Sequence, residues 1–483
     1  MATRARAASG GLRLDEPGRV LLARRLDAAF RRARAEGRSV LAAVTVAVPA
    51  ETDLSAAVLG SRGSADSVFC LEQPARGGFV LAGLGTAAVV TAHGPSRFVE
   101  AAARCRALGR DAVVGDPADD PGAPPAAGPV FVGGFAFADE GGGSPEWGSL
   151  PPARLVLPEV ALARQDGEAR MTVAAVLDGA EDAESVLERL DARLESLVAA
   201  PMPILDPDLL DAPRVAGAAP PEHYEAAVAR AVELIESGTV EKLVLAREVR
   251  VHHRRPIDPA PVLGALREIF PECYSYLVGT PKLTFLGASP ELLVRRDGAR
   301  AQTVALAGTT RRSADPAVDR HLGERLASSD KNREEQAIVA RRIERALGPV
   351  SLWVAAAQEP VLVRVQNVQH LATPIRAQLA EPVSALELAG LLHPTPAVGG
   401  EPWEAARPLV PALEGLDRGW YAGPVGWTDL AEDGELCVAL RCALVRGSVG
   451  HLYAGDGIVR GSVPAEELAE TEMKLAALLP LLS

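Results

Sequence analysis

The strand-like runs of this chain are short and cluster with one another instead of alternating with helices, which narrows its fold more than any other feature. Runs at 283–286, 291–295 and 361–369 stand close together in the second half, and runs at 40–48, 79–84 and 130–137 punctuate the first. A doubly wound fold needs a helix between successive parallel strands, so the pattern predicts an α+β layered architecture with antiparallel sheets. Helical periodicity appears at 180–199 and at 223–237, the second stopped by Gly238 and followed by a strand over 240–251. Two stretches rich in Pro, Gly and Asp, 115–129 and 201–221, read as a surface loop and as the seam between two halves.

Composition excludes several function classes. With 48% hydrophobic and 23% charged residues among 483, the chain can bury a large core. A net charge of −13 argues against nucleic acid or an anionic membrane as partner. The longest uncharged stretch, 77–96, holds five glycines, a histidine and a proline and is too broken for a spanning helix. Five scattered cysteines without a C-x-x-C pair point to reduced thiols. The Arg-bearing first residues lack the apolar run of a secretory signal, so a frayed tail on a cytoplasmic protein is expected.

Only four of the 50 basic residues are lysine, namely Lys242, Lys282, Lys331 and Lys474. An ammonium can lose its proton near neutral pH and a guanidinium cannot, so a surviving lysine marks a position where that difference counts. In V-E-K-L-V-L-A-R, period-two alternation places Lys242 on one face with Val240, Val244 and Ala246. Burial of that face lowers a lysine from its reference pKa of about 10.4, and a base working near neutrality needs a shift of roughly 2 to 3 units. In F-L-G-A-S-P-E-L-L, the break at 287–290 can aim Glu291 into a cleft. Ser328 or Ser329 can cap a helix whose stripe holds Asn332, Glu335 and Val339, and Ser462 with Pro464 starts another carrying Glu467, Glu470 and Lys474. Oxygen-only ligands of this kind suit Mg²⁺. Tyr421 and Arg441 can hold a carboxylate through a hydroxyl and a guanidinium, while A-G-D-G-I-V offers backbone N–H groups. Taken singly, each element also fits a solvated surface.

Their order is far more specific. The segments V-E-K-L-V-L-A-R, F-L-G-A-S-P-E-L-L, L-A-G-T, S-S-D-K-N-R-E-E-Q, H-P-T-P-A-V-G-G, R-G-W-Y-A-G-P-V-G, V-A-L-R-C-A and G-I-V-R-G-S-V-P-A-E-E-L-A-E-T-E-M-K together resemble the chorismate-utilising enzymes, and among them the isochorismate synthases. The agreement covers 222–479, with looser similarity before it through F-C-L-E-Q-P and V-G-G-F-A-F.

The resemblance implies two large, mainly antiparallel sheets packed together with helices outside and the active site in the cleft between them. It divides the chain into a loose tail (1–15), an N-terminal half (16–215) and a catalytic region (216–483), the two halves forming one domain. Lys242 matches the general base that activates water for attack at C2 of chorismate, and Glu291 the acid that protonates the departing C4 hydroxyl. Glu335 and Glu470 match the principal Mg²⁺ ligands, with Glu467 in support; Tyr421, Arg441 and the Gly457 backbone match groups holding the enolpyruvyl carboxylate; and Thr309, His393 and Lys474 match residues lining the pocket.

Relatives that use ammonia generally lack a lysine at position 242, and some place a nucleophilic one where Ala307 stands, so this pair points to water and to no amidotransferase subunit. Asn332 is often acidic in relatives, and Asp456 replaces a small residue. The implied product is isochorismate, for menaquinone or siderophore biosynthesis, made by a monomer or weak homodimer. A salicylate synthase, which goes on to eliminate pyruvate, shares the same base, acid and metal. A non-catalytic chorismate-binding protein is disfavoured because Lys242 and Glu291 are both present.

Overall fold

The computed structural model describes residues 11–115, 120–205, 213–366 and 368–482. Residues 1–10 of the expected tail, 116–119 of the loop and 206–212 of the seam lie outside this set.

Strand alternation in this chain divides apolar side chains between two cores rather than between core and solvent. In Val40–Ala47, Leu41 and Ala43 join one buried cluster while Val40, Ala42 and Val44 join the other. Val68–Gln73 and Phe79–Leu84 do the same: Phe69, Leu71, Phe79 and Leu81 face one way, and Val68, Cys70, Val80 and Ala82 the other. The first cluster unites these residues with Val130, Phe131 and Val132 of a second sheet, so it is the interior between two sheets. The second packs the outer face of the first sheet under helices such as Glu16–Glu36, which contributes Leu22, Leu26, Ala29 and Ala33. Each fully buried Leu or Phe contributes about 1.5–3 kcal/mol, so the double covering supplies much of the driving force.

Among the described residues the sheets have 12 and 10 strands, every pairing between named strands is antiparallel, and both draw strands from each half of the chain. Val68–Gln73 pairs with Tyr274–Gly279 in one sheet, and Val130–Phe135 with Pro424–Asp429 in the other. The expected α+β architecture of antiparallel layers is therefore observed. All five cysteines are buried and unpaired, and no helix among the described residues is long and apolar enough to cross a membrane.

Two local expectations change. The run 361–369 is two strands, Val361–Arg364 and Val368–Leu379, because the Val365 N–H closes a turn onto the Val368 carbonyl at 3.0 Å. Ser462 does not cap the helix Pro464–Leu475: its hydroxyl accepts from the Val459 N–H, and Pro464 starts the helix unaided.

Candidate active site

Five elements converge on one pocket. Strand Lys242–His252 lies beside strand Val449–Ile458, with Val244 opposite Gly457. Glu291 sits at the bend before strand Leu292–Asp297, whose pairing with Gly434–Val438 is interrupted by a bulge at that end. Helix Asp330–Leu347, capped by the Ser329 hydroxyl, brings Lys331, Asn332 and Glu335; helix Pro464–Leu475 brings Glu467, Glu470 and Lys474. Three of the chain's four lysines thus gather here, while Lys282 is exposed.

Lys242 is completely buried, and its Nζ meets Glu335 Oε1 at 2.9 Å. Glu335 lines the pocket and Lys242 lies behind it. The packing there is tight: a Cβ on Gly457 would lie 2.3 Å from Glu335 Oε1 and 3.0 Å from Lys242 Cε. Gly457→Ala is therefore expected to displace both groups and to lower kcat/KM by about 10²-fold with the circular dichroism spectrum unchanged; activity within threefold of the parent would contradict this packing.

Glu291 lines the same pocket and is buried. Loss of solvation pushes its carboxyl up to about 8, against the opposing pull of the Lys242 charge. At neutral pH it is a protonated acid within the electrostatic reach of a buried lysine.

One side of the pocket is acidic. Asp456, Glu467 and Glu470 each offer an oxygen within 4.8 Å of the others. Lys331 pairs with Glu467 at 2.9 Å, and Lys474 meets Asp456, Glu470 and the Gly455 carbonyl at 3.0 Å each. Burial works against charge on Lys474, but Asp456 and Glu470 outweigh it and hold the ammonium above the ordinary lysine range. Burial pushes Asp456 well above the ordinary aspartate range; Lys474 opposes the rise, and Glu470, Glu467 and Glu335 add to it. An all-oxygen, largely buried donor set with lysines as its counter-charges fits a hard divalent cation.

The other side is built for an anion. Arg441 is buried, and among the described residues no carboxylate pairs with it. Its Nη2 donates to His370 Nε2 at 2.7 Å, so the His370 proton belongs on Nδ1 and points to Thr309 Oγ1 at 3.2 Å. Burial, then the Arg441 and Lys474 charges, hold His370 well below its ordinary pKa, so the ring is neutral. Arg441 Nη1 is buried without a hydrogen-bond partner among the described residues. Arg441 also has φ of 47°, a left-handed conformation that costs a non-glycine residue on the order of 1 kcal/mol. Tyr421 stacks on Tyr453 with centroids 5.4 Å apart, and burial raises its pKa so that the hydroxyl stays a donor.

Lys242, Glu291, Glu335, Glu467, Glu470, Thr309, Tyr421, Arg441, Gly457 and Lys474 are thus brought together. Two expectations need correction, those for His393 and for the Gly457 N–H. His393 does not line the pocket; it follows helix Ala385–Leu392, bonds through Nε2 to the Phe137 carbonyl at 2.9 Å, and borders a separate cavity with Phe98, Phe137 and Trp403. The Gly457 N–H is not free for a substrate carboxylate, because it donates to Asp456 Oδ1 at 2.8 Å. Lys474 lines the pocket, but its three N–H groups already have protein partners. One histidine inside a strand of mixed polar and apolar residues carries no pattern, so the sequence does not single out His370, whereas the scarcity of lysine does single out Lys331.

Comparison with known proteins places this geometry in context. The sequence profile of the family described as chorismate binding enzyme matches residues 28–483. The isochorismate synthase MenF of Bacillus subtilis is 36% identical over 356 residues, covering 72% of this chain and 74% of that protein. The salicylate biosynthesis isochorismate synthase of Pseudomonas aeruginosa is 36% identical over 406 residues, covering 83% and 82%. Among solved structures, the menaquinone-specific isochorismate synthase MenF of Escherichia coli superposes with a TM-score of 0.77 at 26% identity, over 95% of this chain and 100% of that one.

Proposed function

Since the chain belongs to the chorismate-binding enzyme family, we propose that it is a Mg²⁺-dependent isochorismate synthase, adding water at C2 of chorismate and expelling the C4 hydroxyl. The observation that carries this reading is the protonated Glu291 carboxyl in a pocket backed by buried Lys242 behind Glu335, between an acidic wall and an arginine that no carboxylate among the described residues pairs with.

Chorismate bears two carboxylates. The Arg441 guanidinium and Tyr421 hydroxyl are placed to receive the enolpyruvyl carboxylate, which would give Arg441 the counter-charge it lacks. Glu335, Glu467 and Glu470 would hold Mg²⁺, which supplies charge neutralisation for the ring carboxylate. With the ring fixed at both ends, Lys242 Nζ, acting in its neutral form, accepts a proton from the attacking water as its oxygen bonds to C2. The ring double bonds shift, the C4–O bond breaks, and Glu291 gives its proton to the departing hydroxyl, so one water enters and one leaves. Each proton transfer is worth about 10²–10⁴ in rate. Ala307 lines the pocket and offers no amine nucleophile, so nothing in this reaction calls for an amidotransferase subunit.

Incubating the purified chain with chorismate and Mg²⁺ and separating the products tests the reading. Isochorismate without pyruvate is expected. Salicylate with stoichiometric pyruvate would assign the elimination to the same pocket and overturn isochorismate as the end product, and no turnover of chorismate would overturn the assignment.

A further inference from the structure

We infer that Asp456 is itself a cation ligand, making the carboxylate set of this chain larger by one than Glu335, Glu467 and Glu470. The inference rests on the Mg²⁺ reading above. Asp456, Glu467 and Glu470 have oxygens within 4.8 Å of one another, whereas Glu335 is engaged by Lys242 at 2.9 Å. Asp456 is 7% exposed, and its two oxygens differ. Oδ1 accepts from the Gly457 N–H at 2.8 Å and from Lys474 at 3.0 Å. Oδ2 is buried and, among the described residues, receives no N–H hydrogen bond, the Glu470 carboxyl being its company. A bare carboxylate oxygen inside a protein is costly unless something positive meets it. The two anchors on Oδ1 fix the group on a paired strand and leave Oδ2 available to the neighbouring carboxylates, as a preorganised ligand requires. Hard divalent ions such as Mg²⁺ and Mn²⁺ accept oxygens of this kind.

Mn²⁺ serves as the probe, with the free ion counted by electron paramagnetic resonance in the full-length chain without chorismate. Asp456→Ala is expected to weaken Mn²⁺ binding at least about tenfold, and Asp456→Asn, which keeps an oxygen but not the charge, by a smaller factor. Mn²⁺ should also raise the melting temperature of the parent more than that of Asp456→Ala. Unchanged or tighter binding in Asp456→Ala, alongside weakened binding in Glu470→Gln, overturns Asp456 as a ligand and leaves the Mg²⁺ reading standing. No Mn²⁺ binding by the parent overturns both. If melting curves in EDTA show that the alanine variant does not fold, the near-isosteric Asp456→Asn decides, unchanged affinity counting against the inference.

Discussion

Lys242→Ala is expected to lower the kcat of chorismate conversion by about 10²–10⁴-fold, the range that loss of a positioned base produces. The other amine and imidazole groups of the pocket are engaged: Lys474 has three protein partners, Lys331 is paired with Glu467, and His370 bonds Arg441 and Thr309 through its two nitrogens. Lys242→Arg should not rescue the activity, because Lys242 is fully buried against Gly457 and Glu335, and a guanidinium cannot release its proton. Removing one partner of a buried pair costs about 3 kcal/mol, so the assay belongs well below the melting temperature of the variant. The readout is isochorismate formed at saturating chorismate and Mg²⁺. Turnover within tenfold of the parent would reject Lys242 as the base.

Glu291→Gln should cost a comparable factor in rate and gain stability in alkali. The amide can donate a hydrogen bond but cannot give up a proton to the leaving hydroxyl. In the folded chain burial raises Glu291 from its ordinary 4.5 to about 8, so folding favours the protonated form. That contribution is complete below about pH 4.5 and is lost as the pH rises through about 8, a difference on the order of 5 kcal/mol. Glutamine stays neutral throughout, so the variant should match the parent at pH 4.5 and melt higher at pH 9. The parent's activity should decline above about pH 8 as Glu291 ionises. Constant activity up to pH 10, or a variant that melts lower than the parent at pH 9, would contradict a protonated Glu291.

The antiparallel class was legible because strand-like runs crowd together without intervening helices. The two-sided core was harder to see, since a strand such as V-L-A-A-V-T-V-A is apolar at consecutive positions and hides which residue faces which layer. The reversal within 361–369 escaped notice because V-L-V-R-V-Q-N-V-Q has neither glycine nor proline. Site residues in ordered motifs were readable, and scarcity singled out Lys331. What pattern could not supply was the direction of a side chain: His393 belongs to a recognisable motif, yet its ring turns to Phe137, where burial and the Arg97 charge lower it to about 3. Similarly, only the folded chain reveals that Asp456 reaches back to the Gly457 N–H.

Strand Val68–Gln73 awaits a neighbour about two hundred residues downstream in Tyr274–Gly279. At ordinary translation speed that interval is roughly 10 to 40 seconds. During it the nascent N-terminal half presents an open, apolar sheet border of the kind that recruits other chains. Chaperone dependence during synthesis, and aggregation of any fragment ending near the seam, are the expected cost of an architecture in which neither half can close its own sheets.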